Sequence, residues 1–344
     1  MNDKIAKVSV PLTVILILIL SCSCWSEQTT TQIVPATLIE YNNLEFYKLG
    51  SITAGPDGNL WFMDTDGNIG KISPKTGKVT QYHIPGVQED DDINGDITGG
   101  PDGDLWFTES NGGISHICKI SPKSGKITEY KIPDAIGPND ITAGPDGNLW
   151  FTGTGGNNTC VCKISPKTGS ITEYPIPAPG AYSLGITAGP DGNLWFTENS
   201  GDKIGKISPV TGDITEYRTP EIGDNPENII TGPDGDLWFT ESDGDIGNIS
   251  PVTGVITLYP AEGTDIIIGS DEHLWFTEAD VNEIGTFSPT NAWNTTDYFI
   301  RTANSGPVDI TLGPEGNLWF TNNDGTIGEL SPLTGKITEY TVPE

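Results

Sequence analysis

Histidine and cysteine, the side chains that most often carry nucleophilic or metal chemistry, are scarce in this chain. Its 344 residues include three histidines and five cysteines. The histidines stand at unrelated points of the sequence, and a zinc site needs more ligands than His83, His116 and His273 supply. The sequence also has no Gly-x-Ser-x-Gly motif, no phosphate-binding loop and no Cys-x-x-Cys pair. The common serine-hydrolase, nucleotide and zinc signatures are therefore excluded.

Basic residues are also few. The chain has 17 Lys and Arg against 47 Asp and Glu, which gives a formal net charge of −30. Such a charge argues against nucleic acid and anionic membrane surfaces as partners. It predicts a soluble, self-repelling surface, which we expect to keep the protein monomeric, and it suits a cationic ligand.

Long apolar runs are absent except for residues 8–20, which follow Lys4 and Lys7. Thirteen residues are too few to span a bilayer, and the layout is typical of a secretory signal peptide. The sequence Ile-Leu-Ser-Cys ending at Cys22 resembles a lipobox, so Cys22 is the predicted lipidation site. We expect a signal peptide over 1–22, a flexible tether over 23–36 and one domain over 37–344, outside the cytoplasmic membrane. The alternative is plain secretion after cleavage near Ser26.

The remaining sequence shows no helical periodicity and instead repeats one phrase, as in ITAGPDGNLWFTE from Ile186. Successive copies of its Leu-Trp-Phe core are 45, 44, 45, 43, 37 and 44 residues apart. A constant period in the forties indicates a repeat architecture. The seven tryptophans are Trp61, Trp106, Trp150, Trp195, Trp238, Trp275 and Trp319.

Each repeat contains four short runs rich in Ile, Trp, Phe, Thr and Tyr, separated by turns such as Pro-Asp-Gly and Thr-Gly. Such runs are typical of strands joined by hairpins. Seven repeats of four antiparallel strands predict an all-β protein, a seven-bladed β-propeller. The Trp and Phe side chains are then expected to fill the space between neighbouring blades.

Both ends of the domain offer an outer strand to close the ring. The outer-strand motif ends in Tyr340 at the C-terminus, and a further copy ends in Tyr41 before the first repeat. The C-terminal copy forms a local hairpin, which costs less loop-closure entropy. We therefore expect it to be the fourth strand of the last blade, with residues 37–48 outside it or loosely docked.

Carboxylates recur at two positions of the repeat that should meet at one mouth of the channel. One position precedes the inner-strand Ile and the other follows Leu-Trp-Phe-Thr, and nine of these fourteen places are Asp or Glu. Like charges close together raise one another's pKa values and attract hard cations such as Mg²⁺ or Ca²⁺. The predicted cation site consists of Glu278, Glu241, Asp265, Asp309 and Asp140. The alternative is a solvated rim in an acidic protein.

A second acidic stretch, QEDDDINGDI, resembles the first half of a calcium-binding loop. Its candidate ligands are Asp90, Asp92, Asn94 and Asp96. The twelfth position of such a loop supplies a bidentate Glu, but here it is Pro101. A solvated acidic loop is the alternative interpretation.

The repeat pattern IT-x-G-P-x-G-x-LWFTE, IG-x-I-S and ITEY-x-IP resembles the streptogramin B lyase (virginiamycin B lyase) family. The resemblance implies a seven-bladed propeller that opens a cyclic depsipeptide by Mg²⁺-dependent elimination at an ester bond. It also implies a catalytic His two residues before the Ile of a late inner strand, and a metal-binding Glu after the Leu-Trp-Phe-Thr of the same blade, for which Glu278 in the sixth repeat is the nearest match. The His position contains no histidine in any repeat: it is Gly50, Gly95, Asn139, Leu184, Glu227, Thr264 and Val308.

Two functions follow from these observations. The first is a carbon–oxygen lyase in which a carboxylate with a raised pKa replaces the missing histidine as the base. The second is a non-catalytic propeller that binds a cation, small molecule, peptide or glycan at its acidic mouth. The missing histidine favours binding, and the specific repeat pattern favours the enzyme.

Overall fold

The structure, a computed structural model, describes residues 49–342 apart from 88–94, 112–113, 134–135, 156–157, 178–179, 221–222, 224 and 292–294. The predicted signal peptide, tether, Cys22 and Tyr41 therefore lie outside the described residues. None of the helices within the described ranges is long and apolar enough to cross a membrane.

The described residues form seven sheets, each of four consecutive strands in antiparallel order, which are the blades of the predicted propeller. The first two blades are β1 Leu49–Ala54, β2 Leu60–Asp64, β3 Asn68–Ile72 and β4 Val79–His83, then β5 Ile97–Gly99, β6 Leu105–Asn111, β7 Ile114–Ile120 and β8 Ile127–Lys131. The third and fourth are β9 Gly137–Ala143, β10 Leu149–Gly155, β11 Asn158–Ile164 and β12 Ile171–Pro175, then β13 Ser183–Ala188, β14 Leu194–Glu198, β15 Lys203–Ile207 and β16 Ile214–Arg218.

The fifth and sixth blades are β17 Pro226–Thr231, β18 Leu237–Glu241, β19 Ile246–Ile249 and β20 Ile256–Tyr259, then β21 Ile266–Ile268, β22 Leu274–Glu278, β23 Glu283–Phe287 and β24 Thr296–Phe299. The seventh is β25 Pro307–Leu312, β26 Leu318–Asn322, β27 Thr326–Leu330 and β28 Ile337–Thr341. Two short 3-10 helices lie at Asn199–Gly201 and Pro289–Asn291. As predicted, the C-terminal strand β28 is the fourth strand of the last blade.

The tryptophans have the packing role that the sequence predicts. Trp61 of the first blade is fully buried against Leu105 and Phe107 of the second, so the core lies between blades. Its ring stacks on Tyr82 of its own outer strand at 5.6 Å, and its indole N–H donates to Asp57 of the Pro-Asp-Gly turn at 3.0 Å. The same three-part contact recurs in most blades.

The phenylalanines explain the recurrent Ile-Gly dipeptide of the third strand. Phe196 lies flat on Gly205, and a Cβ atom at Gly205 would lie 2.1 Å from the ring. Only glycine permits this approach, because a side chain at this position would clash with the ring. The aromatic ring of the second strand can therefore cover the backbone of the third strand.

The threonine of Leu-Trp-Phe-Thr joins one blade to the next. The Thr197 hydroxyl accepts the N–H of Gly185 in its own blade at 2.9 Å. It donates to the carbonyl of Glu227 in the next blade at 2.7 Å. Equivalent bonds from a fully buried threonine occur in six blades, at Thr108, Thr152, Thr197, Thr240, Thr277 and Thr321.

Thr197→Val should therefore destabilise the propeller more than Thr197→Ser. Valine keeps the volume but leaves the Gly185 N–H and the Glu227 carbonyl without this partner, at a cost of about 1–3 kcal/mol. Serine retains the hydroxyl. Thermal unfolding should show a melting temperature lower by a few degrees for the valine variant. Equal melting of the two variants would contradict the role of the hydroxyl.

Candidate functional site

A central channel of about 820 Å³ runs between the inner strands and is lined by residues of all seven blades. At its mouth lie the residues two positions before each inner-strand Ile, among them Asn139, Leu184, Glu227 and Thr264. Tyr182 also lines the channel, and its hydroxyl lies 3.4 Å from Asn139 Oδ1. A channel of this volume can take a ligand of drug-like size.

Below the mouth, six polar side chains form a hydrogen-bonded band, here called the channel belt. Each belongs to the residue directly before an inner-strand Ile. Five of the six side chains accept the inner-strand N–H of the next blade, whereas Asn228 accepts the N–H of Ile229 in its own blade. Asp140 accepts from Ile186 at 2.6 Å, and Asp309 accepts from Ile52 at 2.7 Å, which joins the last blade to the first. The belt consists of Ser51, Asp96, Asp140, Asn228, Asp265 and Asp309.

The belt side chains are also bonded to one another. Asn228 donates to Asp265, and Ser51 donates to Asp96. Asp265 pairs with Asp309, and Asp140 pairs with Asp96. The belt is broken at Gly185, where a Cβ atom would lie 2.7 Å from the carbonyl oxygen of Glu227. The fourth and fifth inner strands thus pack too closely for a side chain.

Burial raises the pKa of Asp140 and of Asp265 well above the usual range of an aspartate, and a neighbouring aspartate in each pair adds to the shift. Burial also raises the pKa of Asp309. Two carboxyl groups in contact away from water retain a proton between them. The raised pKa values of Asp140 and Asp265 favour a shared proton in each pair, which these residues would donate to Asp96 and Asp309.

Asp140→Asn should make the stability of the protein less dependent on pH. Because the folded pKa of Asp140 lies above the unfolded value, wild-type stability falls as pH rises above about 4. Asparagine can donate to Asp96 and accept from Ile186 without this loss, as Asn228 does in its own blade with Ile229. Melting curves from pH 4 to 8 should show a shallower decline for the variant.

Asp140→Ala is the matched control for that experiment, because it removes both hydrogen bonds. It should melt below wild type across the whole pH range. An asparagine variant that melts like the alanine variant at pH 8 would contradict the retained proton.

The carboxylates after Leu-Trp-Phe-Thr are buried at the ends of the second strands, and they have different surroundings in different blades. Asp64 accepts hydrogen bonds from Asn68. Glu109 Oε2 lies 3.3 Å from both His116 Nδ1 and Cys118 Sγ. Glu198 Oε2 lies 3.9 Å from Lys203 Nζ. These acids therefore belong to separate blade interiors.

Glu241 and Glu278 instead line a cavity of about 280 Å³ between the fifth and sixth blades, here called the side cavity. Glu278 is 8 % exposed and Glu241 is 1 % exposed. Burial, with the charges of Asp297, Glu283 and Glu262, raises the pKa of Glu278 to about 8. Glu227 and Thr264 line both the side cavity and the channel, so the two spaces adjoin.

The five residues of the predicted cation site are thus divided between two places. Asp140, Asp265 and Asp309 belong to the channel belt, whereas Glu241 and Glu278 line the side cavity. Among the described residues, no three His, Cys, Asp or Glu side chains lie close enough together to hold a metal ion. Of the candidate calcium loop, Asp90, Asp92 and Asn94 lie outside the described residues, and Asp96 is part of the belt.

Glu227 is the functional candidate that the sequence interpretation did not single out. Its backbone is fixed by Thr197, its side chain borders both spaces, and burial raises its pKa. In the fifth blade it occupies the repeat position equivalent to the one at which the resemblance implies a histidine, whereas in the sixth blade, which contains Glu278, that position is Thr264. The signal in the sequence was that, of the seven residues at this position, Glu227 alone is ionisable.

The fold and the mouth define a seven-bladed propeller with a ligand-sized channel. The model of the virginiamycin B lyase family matches residues 45–265 and 260–344, so the chain belongs to that family. No curated protein sequence matches the chain.

Three solved structures of lyases are similar to this chain in sequence and fold. A streptogramin B lyase is 33 % identical, covers 84 % of this chain and 94 % of its own, and has a TM-score of 0.75. The virginiamycin B lyase from Staphylococcus aureus is 35 % identical, covers 82 % and 94 %, and has a TM-score of 0.73. A catalytically inactive histidine-to-alanine variant of that lyase with quinupristin is 32 % identical over the same shares, again with a TM-score of 0.73.

Proposed function

We propose that this protein is a carbon–oxygen lyase that opens ester-containing cyclic peptides at the channel mouth, with Glu227 as the base. The observation that carries the proposal is the position of Glu227. It stands one blade before Glu278 at the repeat position equivalent to that of the family's histidine, lines the channel and borders the acidic side cavity. A burial-raised pKa makes its carboxylate a stronger base than an exposed glutamate.

In an elimination, Glu227 would accept a proton from the carbon next to a carbonyl group. The released electron pair forms a carbon–carbon double bond while the ester C–O bond on the adjacent carbon breaks. The leaving group departs as a carboxylate, and no water is added. The hydrogen bond from Thr197 to the Glu227 carbonyl keeps the loop that presents this base in place.

The test is incubation of the purified protein with a streptogramin B, followed by chromatography and mass spectrometry. Elimination gives a linear product of unchanged mass, whereas hydrolysis adds one water. Glu227→Gln should reduce the rate by about 10²–10⁴-fold, as expected for a lost general base. Glu315→Gln, in an exposed turn on the opposite face, is the matched control. An absence of product from wild type, with or without Mg²⁺, would exclude the lyase.

The second candidate is a binding protein without turnover, and the specific observation in its favour is the absence of histidine at the family's catalytic position in every blade. The same channel and side cavity would then hold a small molecule, peptide or glycan. Binding of the streptogramin without product would favour this function.

The family also implies Mg²⁺, for which Glu241 and Glu278 are oxygen donors of the right kind. As placed, however, the described side chains do not enclose an ion, so we derive no step through a metal. Divalent binding remains a prediction. If it occurs, millimolar Mg²⁺ or Ca²⁺ over high NaCl should raise the melting temperature by a few degrees, with saturation.

Glu278→Gln with Asp309→Asn tests that prediction, because it removes one carboxylate from each of the two places. The divalent shift should shrink in the double variant. A shift that NaCl alone reproduces would indicate general screening of the acidic surface.

We also propose that the propeller works outside the cytoplasm, anchored through Cys22. The support is the signal-peptide layout of the first 22 residues.

A further inference from the structure

Two buried thiols lie side by side on one strand of the third blade. Cys160 and Cys162 are two residues apart on β11, so their side chains are on the same face of the sheet. Both thiols are free, and their Sγ atoms are 2.8 Å apart. A disulfide bond between them would require a further approach of less than about 1 Å.

The pair depends on departures from the repeat at positions that meet in this blade. Cys162 pairs with Phe151 at the place where five other blades have the glycine of the third strand. Cys160 pairs with Gly153, which replaces the acidic or amide side chain of the other six blades. A Cβ atom at Gly153 would lie 3.7 Å from Cys160 Sγ, so a longer side chain there would compete with the thiol for space.

The second blade provides an internal comparison with a single cysteine. Cys118 occupies the position equivalent to Cys162, but the residue two places before it is His116. The Cys118 thiol donates to Glu109 Oε2 at 3.3 Å. Cys118 therefore has a carboxylate as its neighbour, whereas each cysteine of the third blade has the other.

The geometry of a strand favours a bond that forms and breaks readily. The Cα atoms of residues two apart on a strand are about 6.6 Å from each other, near the upper limit of about 6.8 Å for disulfides. A disulfide held at that limit is strained, and strained disulfides are easily reduced. We infer that Cys160 and Cys162 form a redox-active pair, which a low-molecular-weight disulfide oxidises to a reversible disulfide bond.

Cys160 is the thiol that reacts first. It is 3 % exposed, whereas Cys162 is fully buried, and it lies two residues from the start of β11, where opening of the hairpin end gives a reagent access. The hydrogen bond with Cys160, together with burial, raises the pKa of Cys162. Cys162 therefore keeps its proton until Cys160 has reacted.

The exchange then has two steps. The Cys160 thiolate attacks one sulfur of the external disulfide, whose S–S bond breaks and releases a first thiol. Cys162 loses its proton and attacks the Cys160 sulfur of the mixed disulfide, which releases a second thiol. The protein loses two protons and two electrons, and the external disulfide takes them up.

The test is equilibration of the folded, full-length protein with glutathione and glutathione disulfide at a series of ratios. Acid quenching, alkylation of the unfolded chain and tryptic mapping by mass spectrometry follow. Residues 132–163 form one tryptic peptide with both cysteines, and residues 79–119 form another with Cys118 alone. We expect the first peptide to carry two alkyl groups in reducing buffer. In oxidising buffer it should carry none and be lighter than the dithiol by two hydrogen atoms.

Two variants separate the pair from the single cysteine. Cys160→Ser should leave Cys162 with one alkyl group at every ratio. Cys118→Ser is the matched control and should oxidise like wild type. The inference is wrong if the wild-type peptide carries two alkyl groups at every ratio, if it retains glutathione on one cysteine instead of an internal bond, or if its bond survives the most reducing buffer.

This inference is independent of the proposed lyase. Glu227 takes no part in the exchange, and the redox state of the peptide is measured without a streptogramin. Disulfide formation and turnover can therefore fail separately.

Discussion

The propeller depends on hydrogen bonds that pass from the start of one inner strand to the next. Each blade is a complete sheet, so no backbone ladder joins it to its neighbour. The polar backbone groups at the entrances of the inner strands are nevertheless partly buried and need partners. The threonine hydroxyls of the second strands and the side chains of the channel belt supply these partners. The repeated sequence therefore supplies the hydrogen bonds between blades as well as the buried side chains of the core.

The need to satisfy these backbone groups explains why several acidic residues occur near the channel mouth. Asp140, Asp265 and Asp309 accept the N–H groups of neighbouring blades, so ring closure is reason enough for their presence. Glu241 and Glu278 have no such role between inner strands, and they lie beside Glu227 in a cavity that adjoins the channel. Of the acids at these two repeat positions, those that line the side cavity thus belong to the fifth and sixth blades.

The sequence predicts the fold well because the period, the turns and the strand composition are local and repeated seven times. It also predicts the closing strand, since the hairpin from β27 to β28 is local. The division of the acids between belt and cavity could not be predicted in this way. The position of Asp309 in the repeat gives its face of the ring, but its partner, the N–H of Ile52, belongs to another blade. The position of Glu278 likewise gives its face, but the cavity that it lines is formed by residues of two blades. The position of Glu227 cannot be predicted from the repeat for the same reason, because the two spaces that it borders are formed by residues of different blades.

Function in a repeat protein is expected where the repeats differ, and the differences here are concentrated at one place. The belt is broken where Gly185 packs against the fifth blade, and Asn228 replaces an aspartate one blade later. Next to this break, Glu227 is the ionisable residue among the seven at its repeat position, and the tryptophans of the fifth and sixth repeats are 37 residues apart. The side cavity lies between the fifth and sixth blades, and Gly263 of the connection between them lines it. The departure from sevenfold regularity and the acidic side cavity therefore have a common location, the junction of the fifth and sixth blades, and the function that we propose for this chain is located there.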